Sequence, residues 1–286
     1  MTPRDFAIMM ICCLFWAGNF VVIAWAVGNN PVPPLMLAAA RGAIILLLLG
    51  PYLFKPFPGL GILCICVMVG PLHLGFLYTG LQTTSATAAS ILAQLVVPLA
   101  TLLSVFILKE RVGWIRSLAI TGAFIGVMIM IFEPGSLSIE AGLILLLGAY
   151  IAMALASVFM KRVPTIPWQQ YIAWFGFMLV VVMTPASLIF ETGHAEVWAG
   201  SKWPFLFAAA YSAVAVSLVA HGQYFSLIQK YDISQVVPLA LTQPIFATIL
   251  GVTLLGDELF SRYIVGAAII LPCAYLIAKR SGEKET

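Results

Sequence analysis

Leu92–Val112, LAQLVVPLATLLSVFILKERV, and Leu239–Leu259, LALTQPIFATILGVTLLGDEL, are two versions of one passage. Each sets a glutamine shortly before or beside a proline (Gln94 and Pro98; Gln243 and Pro244), continues as an apolar run, and closes in a short charged turn with Glu110 in one copy and Asp257 and Glu258 in the other. Upstream, Tyr78 stands as far before Pro98 as Tyr224 stands before Pro244. Copies separated by an odd number of membrane crossings run in opposite directions. Inverted repeats of this kind build transporters, with a substrate site near the midplane where the halves meet.

The rest of the chain agrees. Of its 286 residues 62% are hydrophobic and 9% charged, with a mean hydropathy of +1.07; soluble domains carry about 25% charged residues, so this is an integral membrane protein. The net charge of +3 comes from basic residues scattered over short loops, which excludes a nucleic-acid partner. Cys12, Cys13, Cys64, Cys66 and Cys273 all lie in apolar runs and read as small packing residues rather than bridges or metal ligands. The first apolar run, Phe6–Val27, is too long for a signal-peptide core and is taken as the first span.

Breaks at charge, proline and glycine predict ten spans: Phe6–Val27, Pro34–Phe54, Leu60–Gly80, Thr87–Leu108, Trp114–Phe132, Ala141–Met160, Gln170–Phe190, Trp203–Ile228, Ser234–Leu255 and Tyr263–Lys279. The connections leave no room for a soluble domain. The expected architecture is all-α: residues 1–132 form one five-helix repeat, 133–140 a connecting turn, and 141–286 a second, inverted repeat with a short tail, around a central cavity. With ten spans, Arg4, Lys55, Lys109, Arg111, Arg116, Lys161, Arg162, Lys230, Lys279, Arg280 and Lys284 share a side with both termini, against Lys202 and Arg262 opposite. The positive-inside rule then places both termini in the cytoplasm.

FWAGNF (Phe15–Phe20), the Ala40–Gly42 ARG, YTGLQTTSATAASILAQLVVP leading into the fourth span, and the KER and GDE turns closing the fourth and ninth resemble the drug/metabolite transporter superfamily in its ten-helix form of two EamA units. Within it the chain looks most like the YddG-type aromatic amino-acid exporters. That resemblance implies amino-acid export and a bacterial inner-membrane home.

Every acidic residue falls in a loop, tail or helix end. No carboxylate is left at the midplane for a proton or cation relay, and gradient-driven movement is the expected mechanism. Arg41 is the one permanent charge inside a span. It should face the bundle interior, either guiding a substrate carboxylate or capping backbone carbonyls or a loop. His73 and His221 are the other ionisable groups at depth, and each is open to a substrate contact or an inter-helix hydrogen bond. His221 shares a helix face with Ser217 and Tyr224. Pro98 and Pro244 free the carbonyls of Gln94 and Ala240 and mark hinges in matching positions. Trp16, Asn19 and Phe20 form a stripe in the first span, Tyr150 and Ser157 one in the sixth, and Trp174 lies deep in the seventh.

The expected substrate-binding set is therefore Trp16, Asn19, Phe20, Arg41, His73, Tyr78, Gln94, Tyr150, Ser157, Trp174, His221, Tyr224 and Gln243. No cofactor, metal or catalytic residue is expected, and the partners are the lipid bilayer and a small molecule; oligomeric state is open, with a monomer compatible. Such a lining suits a zwitterion with a large apolar side chain. Two other readings stay open: a transporter of another metabolite class, such as a drug-like amphiphile or a nucleotide sugar, and an intramembrane enzyme. A nucleotide sugar would need several buried bases for its phosphates, and an enzyme a nucleophile with its base or a metal cluster.

Overall fold

The structure, a computed structural model, describes residues 1–109, 113–131, 141–231 and 236–282. Its described residues form ten helical rods: α1 (Pro3–Asn29), α2 (Pro34–Phe54), α3 (Leu60–Gly80), α4 (Ala86–Ile107), α5 (Trp114–Ile131), α6 (Ala141–Met160), α7 (Trp168–Phe190), α8 (194–230), α9 (237–255) and α10 (Ser261–Gly282). Seven of these are long and apolar enough to cross a membrane, and shorter apolar helical stretches cover Ser117–Met130, Leu239–Leu255 and Ser261–Ile277. The Glu133–Glu140 turn, Glu110 and the start expected for the ninth span at Ser234 lie outside the described residues. Two helices begin earlier than hydropathy alone suggests. Pro3 opens α1 behind Thr2, whose hydroxyl accepts the Asp5 N–H at 3.2 Å, an N-cap that permits helix before the apolar run begins. Helix α8 starts at His194, behind Gly193 at φ +83°.

Contacts between helices obey one exchange rule: adding five to each number maps one pair onto another. Helix α3 packs on α6 as α8 packs on α1; α4 packs on α6 as α9 packs on α1; α3 meets α7 as α8 meets α2. The pairs α2–α7 and α5–α10 map onto themselves and are the most extensive contacts in the molecule. Both are glycine crossings. A Cβ on Gly42 would lie 2.7 Å from the Gly176 carbonyl, and one on Gly266 would lie 2.9 Å from that of Gly126. Small residues let backbones approach where lipid offers no hydrophobic drive to association.

Irregular turns also recur in matching places. Helix α3 widens to a π segment at Met68–Leu72 and α8 at Ser212–Ala220, while α4 tightens to a 3-10 turn at Ala93–Leu95 and α9 at Val237–Thr242. In α3 the cause is Pro71, which sits inside the π segment and has no N–H for the α-helical ladder. In α4 the 3-10 turn holds Gln94, the residue whose carbonyl Pro98 leaves without its helical donor. The closing turns match as well: Lys109 has φ +57° and Gly256 φ +71°, both left-handed. Such a residue reverses the chain at a helix end. Between its proline and this residue the second copy is one residue longer, and α9 takes up the extra residue in a π turn at Gly251–Leu255.

One face of the bundle, the terminal face, holds the start of α1 and the ends of α2, α4, α6 and α8; the far face holds the opposite ends. On the terminal face, Lys230 donates to Asp5 at 2.6 Å, Gln170 donates to the Pro56 carbonyl at 2.8 Å, and Arg162 donates to the Ile107 carbonyl. The neighbouring Asp5 carboxylate raises the pKa of Lys230. On the far face, Glu191 accepts the N–H groups of Leu35 at 2.7 Å and Met36 at 3.0 Å, at the start of α2. These are donors that a helix cannot satisfy itself.

Candidate functional site

Arg41 is 3% exposed, and its partners come from both halves of the chain. Its Nη1 donates to the Tyr78 hydroxyl on α3 at 2.9 Å; its Nε and Nη2 donate to Ser217 Oγ on α8, at 3.2 and 2.9 Å. The guanidinium also stands over the Phe175 ring of α7, 5.6 Å from its centroid. Arg41 therefore neither caps backbone carbonyls nor ties a loop; it joins four helices through side chains. Ser217 in turn donates to the Ser212 carbonyl within the π segment, which fixes its lone pairs toward the arginine. Among the described residues no carboxylate pairs with this cation. Burying it in a membrane protein costs at least ~2.5–3.5 kcal/mol, and hydroxyls and an aromatic face offset that without neutralising the charge.

Helix α8 continues the site. Ser217, His221 and Tyr224 follow one another along one side, and Trp16 of α1 packs on the last two, with ring centroids 5.6 Å from His221 and 5.1 Å from Tyr224. The Trp16 Nε1 donor is buried and has no hydrogen-bond partner. His221 Nδ1 lies 2.6 Å from the Val216 carbonyl. A carbonyl only accepts, so Nδ1 carries the proton, and Nε2 of the neutral ring is an acceptor. One helical turn along α1, Asn19 Oδ1 accepts the Ser212 hydroxyl at 2.7 Å.

Helices α3, α4 and α6 bring together a second polar cluster. His73 Nδ1 lies 3.0 Å from the Ala149 carbonyl of α6, and its ring centroid is 6.0 Å from that of Tyr150. The same donor argument leaves His73 Nε2 as acceptor. The Tyr150 hydroxyl donates to the Ala89 carbonyl of α4 at 2.6 Å. Gln94 is buried at the 3-10 turn of α4, and Gln243 is half-buried where α9 returns to α-helix.

Of the expected residues, Arg41 joins Tyr78 to Ser217, Trp16 packs on His221 and Tyr224 further along α8, and Asn19 is held by Ser212 of the same helix, while His73 and Tyr150 pair on α3 and α6. Phe20 is packed in the main apolar core. Trp174 lies instead against Phe57, at a 5.8 Å centroid separation, and Phe177; Phe57 belongs to the α2–α3 connection on the terminal face, so this ring stands apart from Arg41. Ser157 is exposed and donates to its own helix at the Met153 carbonyl. The stripe from Tyr150 to Ser157 thus turns only its first member inward. Two residues outside the expected set prove central: Ser217, visible in the sequence only as a stripe neighbour, and Phe175, which has no sequence mark.

A helical membrane protein whose packing exchanges its two halves, with polar groups from both meeting inside, is built as transporters are, and the family it matches is one of transporters rather than enzymes. The EamA-like transporter family model matches the chain twice, over residues 6–132 and 140–279, and the protein belongs to that family, within the drug/metabolite transporter superfamily. Relatives include proteins named "Probable amino-acid metabolite efflux pump" in Salmonella typhimurium (24% identical, 96% of this chain and 95% of the relative) and Escherichia coli (23%, 96% and 95%). An uncharacterized transporter of Archaeoglobus fulgidus is 23% identical over 97% of this chain and 99% of its own. A protein known from a crystal structure shares the fold at a TM-score of 0.60 and 19% identity, covering 100% of this chain and 99% of that one.

Proposed function

We propose that this protein exports aromatic or other large apolar amino acids, or close metabolites of them, from the bacterial cytoplasm across the inner membrane. Both termini are then cytoplasmic, a placement that the distribution of basic residues supports, and the far face is periplasmic. The two family-model matches are inverted repeats joined by residues 133–140, and transport is alternating access down the substrate's own gradient, because among the described residues no carboxylate lies near the midplane to carry a coupling ion.

The observation that carries this reading is the buried, uncompensated guanidinium of Arg41 at the head of an aromatic stripe. A substrate carboxylate supplies the missing charge through a charge-assisted hydrogen bond. From there a zwitterion lies along α8, with its ammonium donating to His221 Nε2 and its side chain against Trp16 and Tyr224. The relatives named as amino-acid metabolite efflux pumps support the same class of substrate. A nucleotide sugar suits the site poorly, because one arginine at depth meets too little of a diphosphate's charge.

Counterflow in proteoliposomes tests it. Vesicles loaded with unlabelled phenylalanine should accumulate labelled phenylalanine, tryptophan and leucine, while phenylethylamine, which lacks the carboxylate, should neither exchange nor compete. Equal competition by the amine would remove Arg41 from the substrate site.

A further inference from the structure

At the far face, α4 and α9 are joined by a single carboxylate. Asp257 Oδ2 accepts both the Thr87 N–H at 2.9 Å and the Thr87 hydroxyl at 2.8 Å. The local structure is built for this contact. Ser85 caps α4 and takes the Ala88 N–H at 3.1 Å, which leaves the Thr87 N–H as a donor with no partner in its own helix. In the other strand of the contact, Gly256 adopts its left-handed conformation and reverses the chain, and the Asp257 N–H returns to the Gly251 carbonyl at 3.1 Å. The carboxylate is thereby folded back over Gly251. A Cβ at Gly251 would collide with the Asp257 carboxylate and lie 2.8 Å from Thr87 Oγ1. The glycine leaves the space in which aspartate and threonine meet.

The packing of the two helices is uneven along their length. The far half of α4, Ala86–Leu92, packs on α9 over Gln243–Leu255. Beyond their 3-10 turns the helices diverge: the terminal half of α4 packs on α6, α5 and α10, and residues 237–242 of α9 pack on α1 and α10. A pair of helices that close at one end and part at the other, with an irregular turn at the point of divergence in each, has the form that one position of a rocking pair would take.

We propose that Asp257, Thr87 and Gly251 form a latch that holds the far face shut, so that breaking it opens the site to that face and closes the terminal face. This rests on the alternating-access reading above but not on the choice of substrate. A carboxylate at the start of a helix is favourable there through the helix dipole, and its bonds can be exchanged for water at an aqueous surface. The latch can therefore open without leaving a buried charge behind.

The test uses the full-length protein in lipid nanodiscs without substrate, its five native cysteines replaced. Spin labels on cysteines at Gln82 and Glu258, both exposed, report the far face; labels at Phe106 and Ser226, also exposed, report the terminal face. Pulsed electron resonance should show one short far-face distance in the unmodified latch. Asp257→Ala should raise the ratio of long to short far-face distances by about tenfold or more, the scale of losing a hydrogen bond to a charged group. Thr87→Val, which keeps the N–H, and Asp257→Asn, which keeps an acceptor oxygen, should shift it less, and Gly251→Ala should shift it in the same direction by steric wedging. In each variant the terminal-face distance must shorten as the far-face distance lengthens. An unchanged distribution in Asp257→Ala overturns the latch, and so does lengthening at both faces, which marks a loosened bundle. If phenylalanine fails to exchange while the distances respond reciprocally, the substrate assignment falls and the latch stands.

Discussion

Helices α3 and α8 occupy matching places in the two halves, and each carries a histidine at the end of a π segment, yet they hold it differently. His73 donates across to the Ala149 carbonyl of α6 and so ties two helices together. His221 donates back to Val216 of its own helix, and its ring packs against Trp16. The same residue is a strut in one half and a presented group in the other. The arginine shows the same bias, since α8 supplies two of its three hydrogen bonds through Ser217 and α3 only one, through Tyr78. On the proposed reading, α8 therefore carries more of the recognition and α3 more of the framework.

The strongest challenge to that division is Arg41→Met, which should weaken phenylalanine binding by about 2–3 kcal/mol, as loss of a charged hydrogen-bonding group does. Ser217→Ala should weaken it more than Tyr78→Phe, because it removes two of the bonds that aim the guanidinium. Equal losses would erase the asymmetry. Binding by scintillation proximity on detergent-stable variants measures both.

Next in size are the glutamines and prolines of the repeated passage. Gln94→Leu and Gln243→Leu should each lower affinity by roughly 1–2 kcal/mol, whereas Pro98→Ala and Pro244→Ala should slow turnover a few-fold with affinity little changed. Binding and counterflow measured separately tell the two effects apart. A common fall in both quantities for all four would reduce them to folding residues.

The histidines sharpen the comparison directly. His221→Ala should lower affinity by about 1 kcal/mol and leave thermal stability nearly as it was; His73→Ala should do the reverse, since it removes an inter-helix hydrogen bond worth about 1 kcal/mol. The reverse outcome would exchange the roles assigned to the two halves. Smallest is Lys230→Ala on the terminal face, which should lower stability slightly, because water screens an exposed ion pair. Because the pKa of Lys230 is raised, its contribution is complete below the ordinary lysine value and is lost only as pH rises through the raised one. Unfolding midpoints of Lys230→Ala and the parent should thus keep a constant difference between about pH 7 and 9.

Much of this architecture could be read from the chain because it is written locally. Apolar runs of membrane length, basic turns and a duplicated passage need no partner to be seen, and Arg41, Trp16 and His221 stood out as rare polar or aromatic groups within spans. What could not be read is who meets whom. Arg41 finds Tyr78 at a separation of 37 residues and Ser217 at 176, and nothing in an apolar run marks Phe175 as the ring beneath a guanidinium. The π segments were equally hidden, because apart from Pro71 no residue type announces them. Helical spacing also misplaced a partner, since a stripe shows that residues share a face but not which face: Tyr150 points inward and Ser157 outward.

The π turn at Gly251–Leu255 has a consequence for energetics. If the two halves were identical in sequence and length, the states open to either face would be the same object viewed from opposite sides, and apart from the membrane's own asymmetry they would be degenerate. One additional residue in α9 removes that degeneracy where the helix ends, because the chain must now wind wider on one copy before it turns at Gly256, while the other turns at Lys109 with a side chain in a left-handed conformation that costs about 1–2 kcal/mol. Such a cost matters to the extent that one state relieves it, and full relief in one state alone biases a two-state equilibrium by roughly an order of magnitude. A single additional residue is thus enough to make the two states of the proposed cycle inequivalent.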